Sequence, residues 1–141
     1  MDEKKSRILI VEDEEILSTA LSEELKTAGF EVFVGKDGIE GVEKATSEKP
    51  DLILLDLVMP RLDGIGALTQ MRANPATKDI PVVILSNLSD SGKVSDALSL
   101  GAMDFLVKSN YRIEELVGKI KTVLDNKPAA IPANQTPTPT V

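Results

Sequence analysis

The stretch LILLDLVMPRLDG (residues 52–64) places a run of apolar residues directly before a single carboxylate, Asp56, and a turn. The run Leu52–Leu55 contains no polar residue, which is typical of a short strand buried on both faces of a parallel sheet. The PRLDG segment that follows carries the proline, aspartate and glycine of a turn. Asp56 therefore stands where a buried strand ends, either as a turn residue or as a functional group that the strand delivers.

The composition of the 141 residues excludes several classes of protein. The chain has no histidine and no cysteine, so it has no histidine-based triad, histidine-ligated zinc site, disulfide or phosphohistidine of its own. A net charge of −7 and the absence of tryptophan argue against nucleic-acid binding. No apolar run is long enough to span a bilayer, and the charged N-terminus has no signal-peptide pattern, so we expect a cytoplasmic protein.

Apolar β-rich runs alternate along the chain with segments of helical periodicity. The five predicted strands cover Arg7–Val11, Phe30–Val34, Leu52–Leu55, Ile80–Ser86 and Met103–Val107. The predicted helices lie at 14–29, after Asp37, after Asp63, at 92–100 and at 113–124. Five such units in series predict an α/β protein with a doubly wound parallel sheet, and right-handed crossovers favour the flavodoxin-like (βα)5 fold with strand order 2-1-3-4-5.

Local signals support these helices and mark the end of the domain. Asp37, followed three residues later by Glu40, is typical of a capping box, and Asp63 can cap the third helix. The residues that we predict to face inward from the first helix are Ile16, Leu17, Ala20, Leu21 and Leu25. From residue 126 the chain is rich in proline, threonine and alanine and has no period, so we expect a domain at 5–125 and a disordered tail or linker at 126–141.

Polar side chains follow four of the five predicted strands. Glu12 and Asp13 follow the first strand, Asp56 the third, Ser86 the fourth and Lys108 the fifth. Taken alone, the acidic pair could complement the dipole of the first helix and Asp56 could be a turn residue. Ligands of doubly wound sheets bind outside the carboxyl ends of the strands, so the coincidence of all five side chains at this edge favours a site.

These residue types are suited to phosphoryl chemistry assisted by a metal ion. Three carboxylates held close together repel one another, and Mg²⁺ with its preference for oxygen ligands relieves this repulsion. A carboxylate such as Asp56 can attack phosphorus, while Mg²⁺, Lys108 and the Ser86 hydroxyl neutralise the three phosphoryl oxygens. The chain has neither a dinucleotide-binding GxGxxG motif nor a P-loop.

Four segments resemble one known family over about residues 5–125, the receiver domain of two-component response regulators. The segments are ILIVEDE, LILLDLVMPRLDG, IPVVILS and GAMDFLVK. The resemblance implies phosphoryl transfer from a histidine kinase or phosphotransfer protein to Asp56. It also implies Mg²⁺ at Asp13, Asp56 and the backbone carbonyl of Val58, with Glu12 reaching the ion through water, and it implies that Ser86 and Phe105 act as a switch pair.

The fourth predicted helix is the element that we expect to move. It is short, contains several serines, and has only Val94, Ala97 and Leu98 as predicted inward anchors, so its rearrangement should cost little. We expect the face formed by the fourth helix, the fifth strand and the fifth helix to bind an output protein or a second copy of the chain. The resemblance to receivers implies the same surface.

One departure from the family concerns Ser109, which follows Lys108 where receivers usually have proline. A cis bond to proline costs little, but a cis bond to serine costs about 2.5–4 kcal/mol. The Lys108–Ser109 bond is therefore either a cis bond or a trans bond with a re-routed loop. We favour the cis bond, because the lysine must reach the same site.

Two other functions remain open at this point. The chain could be a pseudo-receiver, an interaction module that never accepts phosphate, although the intact acidic pair, Asp56 and Lys108 argue against it. It could also be a small Mg²⁺-dependent phosphatase with an aspartyl nucleophile, but Val58 stands where a second catalytic aspartate would be expected. We expect a phosphoacceptor domain rather than an enzyme, able to catalyse its own phosphorylation from small donors and its own dephosphorylation.

Overall fold

The computed structural model describes residues 5–87 and 91–125, so the predicted tail at 126–141 lies outside the described residues. The strands are β1 (Arg7–Val11), β2 (Glu31–Gly35), β3 (Leu52–Asp56), β4 (Val82–Ser86) and β5 (Asp104–Val107). The helices are α1 (Glu15–Thr27), α2 (Gly38–Glu48), α3 (Gly64–Ala73), α4 (Ser91–Ser99) and α5 (Ile113–Asp125). All strand pairs are parallel and their order is β2-β1-β3-β4-β5, which confirms the predicted flavodoxin-like fold.

Two apolar clusters cover the two faces of this sheet. Ile8 and Ile10 of β1 belong to one cluster, and Leu9 and Val11 belong to the other, as the alternation of side chains along a strand requires. Every residue of β3 is buried, which confirms that the run at 52–55 is a strand covered on both faces. The central strands therefore carry the core and bring their carboxyl ends to one protected edge.

Two aspartates begin helices as the sequence predicts. The Asp37 carboxylate accepts a hydrogen bond of 2.9 Å from the backbone N–H of Glu40 at the start of α2. The Asp63 carboxylate accepts one of 2.9 Å from the N–H of Gly66 at the start of α3. The Glu40 carboxylate accepts from the N–H of Lys36, one residue before the cap position, so the reciprocal half of the predicted capping box is displaced by one residue.

Arg72, near the end of α3, binds four backbone carbonyls. Its guanidinium donates to the carbonyls of Lys78 and Ile80 before β4, and to those of Leu100 and Gly101 after α4, over distances of 3.0–3.1 Å. The planar fork of arginine supplies enough donors for all four bonds. Arg72 thus joins the C-terminal end of α4 to α3 and to the start of β4.

Some apolar residues predicted to be buried are exposed. Ile16 of α1 is 88% exposed, because the inward face of this helix is formed by Ser18, Leu21, Ser22 and Leu25. Leu98 of α4, a predicted inward anchor, is 41% exposed, and Phe105 of β5, the predicted switch residue, is 40% exposed. β5 pairs only with β4, so it is an edge strand whose side chains receive less cover than those of β3.

The preference for a cis bond between Lys108 and Ser109 is wrong. No cis peptide bond occurs in the described residues, and the chain instead passes through a single turn of 3₁₀-helix over Lys108–Asn110. This turn redirects the backbone after β5 and leaves the lysine side chain pointing at the acidic site, as described below. Within residues 5–87 and 91–125, no helix combines the length and the apolar character that a membrane span requires.

Candidate functional site

Three carboxylates meet where β1 and β3 end. Glu12, Asp13 and Asp56 each offer one oxygen atom, and these three atoms lie within 4.8 Å of one another. The cause is the sheet itself, because Val11 and Leu55 are register partners in adjacent strands and the next residue of each is acidic. Glu12 is only 1% exposed and Asp56 only 3% exposed, whereas Asp13 lies open to solvent.

Lys108 brings a positive charge to this cluster from the end of β5. Its ammonium lies 3.0 Å from a Glu12 carboxylate oxygen and 3.4 Å from Asp56 Oδ2. The lysine side chain is itself mostly buried, so these contacts are little screened by water. One ammonium therefore serves two buried carboxylates, and Asp13 adds a third negative charge nearby.

Burial and mutual repulsion change the proton affinity of these groups. Burial, followed by the Asp56 charge, raises the pKa of Glu12 to about 7, against smaller opposing effects of the Glu14 N–H and of Lys108. Burial also raises the pKa of Asp56, in opposition to the Lys108 charge. Burial alone would lower the pKa of Lys108, but Asp56 and Glu12 outweigh it and raise that pKa. The cluster holds more negative charge than its single lysine balances.

Ser86 ends β4 beside this cluster with its hydroxyl buried and without a hydrogen-bond partner in the described residues. A buried polar group normally has a partner, so this hydroxyl is available to a ligand that enters the site. A cavity of about 360 Å³ opens next to it and is also lined by Val94, Leu98 and Phe105. Phe105 thus shares this cavity with Ser86 rather than joining the carboxylates.

The structure adds a residue that sequence reasoning missed, Glu14. Its carboxylate lies 3.2 Å from the Lys108 ammonium, and its backbone N–H donates to Glu12 at 3.0 Å. Glu14 occupies the cap position of α1 but makes no side-chain capping bond, because its side chain turns to the lysine. The sequence signal that could have identified Glu14 as a site residue was its position two residues after Glu12. Val58, also predicted at the site, lies half exposed and donates its N–H to Asp56 at 3.3 Å.

The arrangement can bind a hard cation and an oxyanion together. Three clustered carboxylate oxygens are the donor set that divalent cations such as Mg²⁺ prefer. The Lys108 ammonium and the unpartnered Ser86 hydroxyl are donors that an anion beside Asp56 could use. All five side chains predicted from the strand ends therefore lie at one edge of the sheet, as expected from the strand order.

The fold and this acidic site define the class of protein. Residues 8–121 match the family described as the response regulator receiver domain. The chain belongs to this family and is a receiver domain of two-component response regulators. The resemblance inferred from the four sequence segments is thereby confirmed.

Individual relatives support the same assignment. Response regulator ArlR of Staphylococcus saprophyticus is 39% identical over 123 residues, which are 87% of this chain and 54% of ArlR. Transcriptional regulatory protein PrrA of Mycobacterium tuberculosis is 39% identical over 118 residues, which are 84% of this chain and 49% of PrrA. The chain thus spans about half the length of these curated relatives.

A solved structure of the same fold is similar over nearly the whole domain. The receiver domain of sensor histidine kinase PA1611 from Pseudomonas aeruginosa matches with a TM-score of 0.77 and 28% identity, covering 87% of this chain and 100% of that one. That crystal structure has a magnesium ion coordinated in its active-site cleft. The two chains therefore share their fold over almost the whole receiver domain.

Proposed function

We propose that this receiver is a phosphorylation-controlled switch in which Asp56 accepts the phosphoryl group. The observation that carries the proposal is the contact of 3.4 Å between Lys108 and Asp56 in the middle of three clustered carboxylates. A buried carboxylate next to both a cation and a metal-ligand set has what a nucleophile needs to approach a phosphoryl group. We place the domain at residues 5–125.

Mg²⁺ fits the residues that are present. Asp13 and Asp56 would ligate the ion directly, with the Val58 carbonyl as a further ligand and Glu12 acting through water. Three carboxylates with a single lysine between them favour a divalent cation, and burial, which raises the pKa of both Glu12 and Asp56, adds to the cost of leaving their charges uncompensated. When bound, Mg²⁺ supplies positive charge to the carboxylates and to the phosphoryl oxygens.

The residues of the chain then have distinct roles in the transfer. A carboxylate oxygen of Asp56 attacks phosphorus, the new O–P bond forms, and the P–N bond of the donor breaks with its electron pair left on the imidazole. The Lys108 ammonium leaves Glu12 and Glu14 and pairs with one phosphoryl oxygen. The Ser86 hydroxyl, which has no partner at rest, donates to another. The same site allows water to attack the acyl phosphate later and reset the switch.

The donor and the output are separate proteins or segments in this proposal. The 141 residues contain no histidine, so the phosphohistidine belongs to a histidine kinase or phosphotransfer protein outside them. The output surface is the face of α4, β5 and α5, which binds a partner protein or a second copy of the chain. Its exposed apolar residues Leu98, Met103 and Phe105 support this choice, and Phe105 can turn toward Ser86 through the cavity that they share.

Mass spectrometry after incubation with acetyl phosphate tests the proposal. The chain should gain one phosphoryl group in the presence of Mg²⁺, gain none in EDTA, and gain none when Asp56→Asn removes the nucleophile. Asp63→Asn is a matched control, since it changes a nearby aspartate but keeps the helix cap, and it should be phosphorylated normally. A wild-type chain that gains no phosphoryl group from acetyl phosphate or from a phosphohistidine donor would favour a pseudo-receiver.

A further inference from the structure

The loop between β3 and α3, residues 57–63, makes an ion pair and a backbone hydrogen bond with the start of α2. The Arg61 guanidinium contacts Asp37 Oδ2 through two nitrogen atoms, at 2.9 Å and 2.8 Å. The Leu62 carbonyl accepts a hydrogen bond of 3.0 Å from the N–H of Gly38. This loop includes Val58, so the segment that supplies one proposed metal ligand is held by two contacts from a neighbouring helix.

Asp37 uses its two oxygen atoms for two separate tasks. Oδ1 accepts from the N–H of Glu40 and caps α2, while Oδ2 accepts from Arg61. The Asp37 side chain is only 11% exposed, and the hydrogen bonds from Glu40 and Arg61 lower the pKa of its carboxyl group below the ordinary value. A charged pair with one largely buried member and a two-nitrogen contact is better defined in space than an exposed ion pair.

The backbone at Arg61 is in a conformation that needs this support. Its φ is +68°, in the left-handed region that side chains other than glycine seldom adopt. Such a conformation persists only where surrounding contacts enforce it. On the other side of the contact, Gly38 leaves no room for a side chain, because a Cβ there would lie 2.0 Å from the Leu62 carbonyl oxygen. The backbone of the loop at Leu62 therefore packs directly against the backbone of α2 at Gly38.

We infer that Asp37 and Arg61 are a positioning pair that fixes the β3–α3 loop for Mg²⁺ binding and thereby for phosphorylation of Asp56. The inference rests on the proposed function. The inner side of the loop is already held, since Val58 donates to Asp56 and Gly64 donates to the Leu57 carbonyl. Its outer side is open to solvent at Val58 and Pro60, where the pair restrains it together with the hydrogen bond from Gly38 to Leu62. Loss of the pair should make the Val58 carbonyl more mobile and leave the three carboxylates in place.

Two variants separate the positioning role from the other roles of these residues, which are the cap of α2 at Asp37 and the left-handed backbone at Arg61. Asp37→Asn keeps an oxygen for the cap of α2 but removes the charge that holds Arg61. Arg61→Gly removes the guanidinium but suits the left-handed backbone. Arg7→Gln is the matched control, because it removes ion pairs to Glu31 and Glu48 at the amino end of the sheet, far along β1 from the acidic site.

The experiment is a titration with magnesium chloride followed by amide NMR spectra, together with a urea melt of each variant. Asp37→Asn and Arg61→Gly should each weaken Mg²⁺ binding about tenfold, the lower end of the range for outer-shell partners of metal sites. The double variant should be no weaker than either single variant, since both remove one interaction. Arg7→Gln should bind Mg²⁺ like the wild type at a comparable loss of stability.

The outcomes distinguish this inference from the proposed function. If both variants bind Mg²⁺ with an affinity within twofold of the wild-type value, the positioning role is overturned. Phosphorylation of Asp56 would still stand. Weakening by the control to the same degree would assign the effect to general stability and would also overturn the role. A wild-type chain that binds no Mg²⁺ and gains no phosphoryl group would overturn both.

Discussion

The Lys108 ammonium lies 3.0 Å from a carboxylate oxygen of Glu12, although the two residues are 96 positions apart in the chain. They meet because β1 and β5 both send their carboxyl ends to the same edge of the sheet. In the proposed reaction this contact is exchanged, since the ammonium moves to a phosphoryl oxygen, and the carboxylates that it leaves would be neutralised by the Mg²⁺ that Asp13 and Asp56 would hold. The resting site is thus an ion-pair network that phosphorylation replaces.

Replacing Asp13 should separate metal binding from intrinsic stability. Asp13→Ala removes a proposed Mg²⁺ ligand, so thermal stabilisation by Mg²⁺ should disappear. Without metal the same variant should be more stable than the wild type by up to about 1 kcal/mol, because it relieves repulsion within the acidic cluster. Thermal melts in EDTA and in excess Mg²⁺ measure both effects. A variant that is clearly less stable than the wild type in EDTA would contradict this account.

Replacing Lys108 should leave the fold intact and uncouple phosphorylation from the switch. Lys108→Ala leaves two buried carboxylates without their cation, so the free energy of unfolding in EDTA should fall by about 1–3 kcal/mol. Acetyl phosphate should still phosphorylate Asp56, but the amide spectrum should remain that of the resting state over α4 and β5. A normal activated spectrum for Lys108→Ala would show that the lysine is not part of the switch.

Replacing Ser86 should have opposite effects on stability and signalling. Its hydroxyl is buried without a partner, so Ser86→Ala should be neutral or stabilising by up to about 1 kcal/mol in the absence of phosphate. The phosphorylated variant should lose the conformational response, because the hydroxyl can no longer donate to the phosphoryl group. Urea denaturation and amide spectra test the two parts. Ser86→Thr retains the hydroxyl and should retain the response.

The raised pKa of Glu12 predicts how stability without metal depends on pH. Its pKa rises from an ordinary 4.5 to about 7, so the folded state holds this proton more tightly than the unfolded state does. The contribution of Glu12 to stability is therefore most favourable below pH 4.5 and declines as the pH rises to about 7. Glu12→Gln should flatten the profile in this window, measured by urea denaturation in EDTA. Glu23→Gln, at an exposed site of α1, is the control and should keep the wild-type profile.

A mimic of the acyl phosphate should reveal how far the change spreads. Beryllofluoride with Mg²⁺ should shift amide signals at Asp56 and Ser86, and then over residues 87–110. The physical reason is that α4 has few buried side chains and lies beside the cavity shared by Ser86 and Phe105. Shifts confined to residues next to the metal would mean that no switch operates, and would favour the pseudo-receiver.

The sheet and the strand ends were predictable because both follow from simple periodicity. A short run of apolar residues such as Leu52–Leu55 predicts a strand buried on both faces of a parallel sheet. Because parallel strands end at the same edge, the side chains that follow them, Glu12, Asp56, Ser86 and Lys108, are expected there together. Contacts made by flexible side chains were harder to predict. The approach of Glu14 to Lys108 depends on a side-chain direction that spacing does not specify.

The errors share a physical origin in local choices that the global fold leaves open. A helical stripe through Ile16 and one through Ser18 both include Leu21 and Leu25, so periodicity alone did not decide which edge of α1 faces inward. The bond between Lys108 and Ser109 is trans and lies in a 3₁₀ turn. This local change of the backbone lets Lys108 reach the acidic site without a cis bond. The pairing of Asp37 with Arg61 crosses 24 residues and needs the left-handed backbone of the loop.

The four carbonyls bound by Arg72 have a mechanical consequence for α4. The guanidinium fastens the C-terminal end of this helix to α3, whereas the bonds of Arg72 do not reach its N-terminal end. Any displacement of α4 is then a swing about a pivot at Leu100 and Gly101. A helix of nine residues is about 13 Å long, so a swing of about 10° moves its free end by about 2 Å. Arg72 thus makes α4 a lever that is fixed at its C-terminal end, and its N-terminal half, with Val94, lies beside the cavity that Ser86 lines.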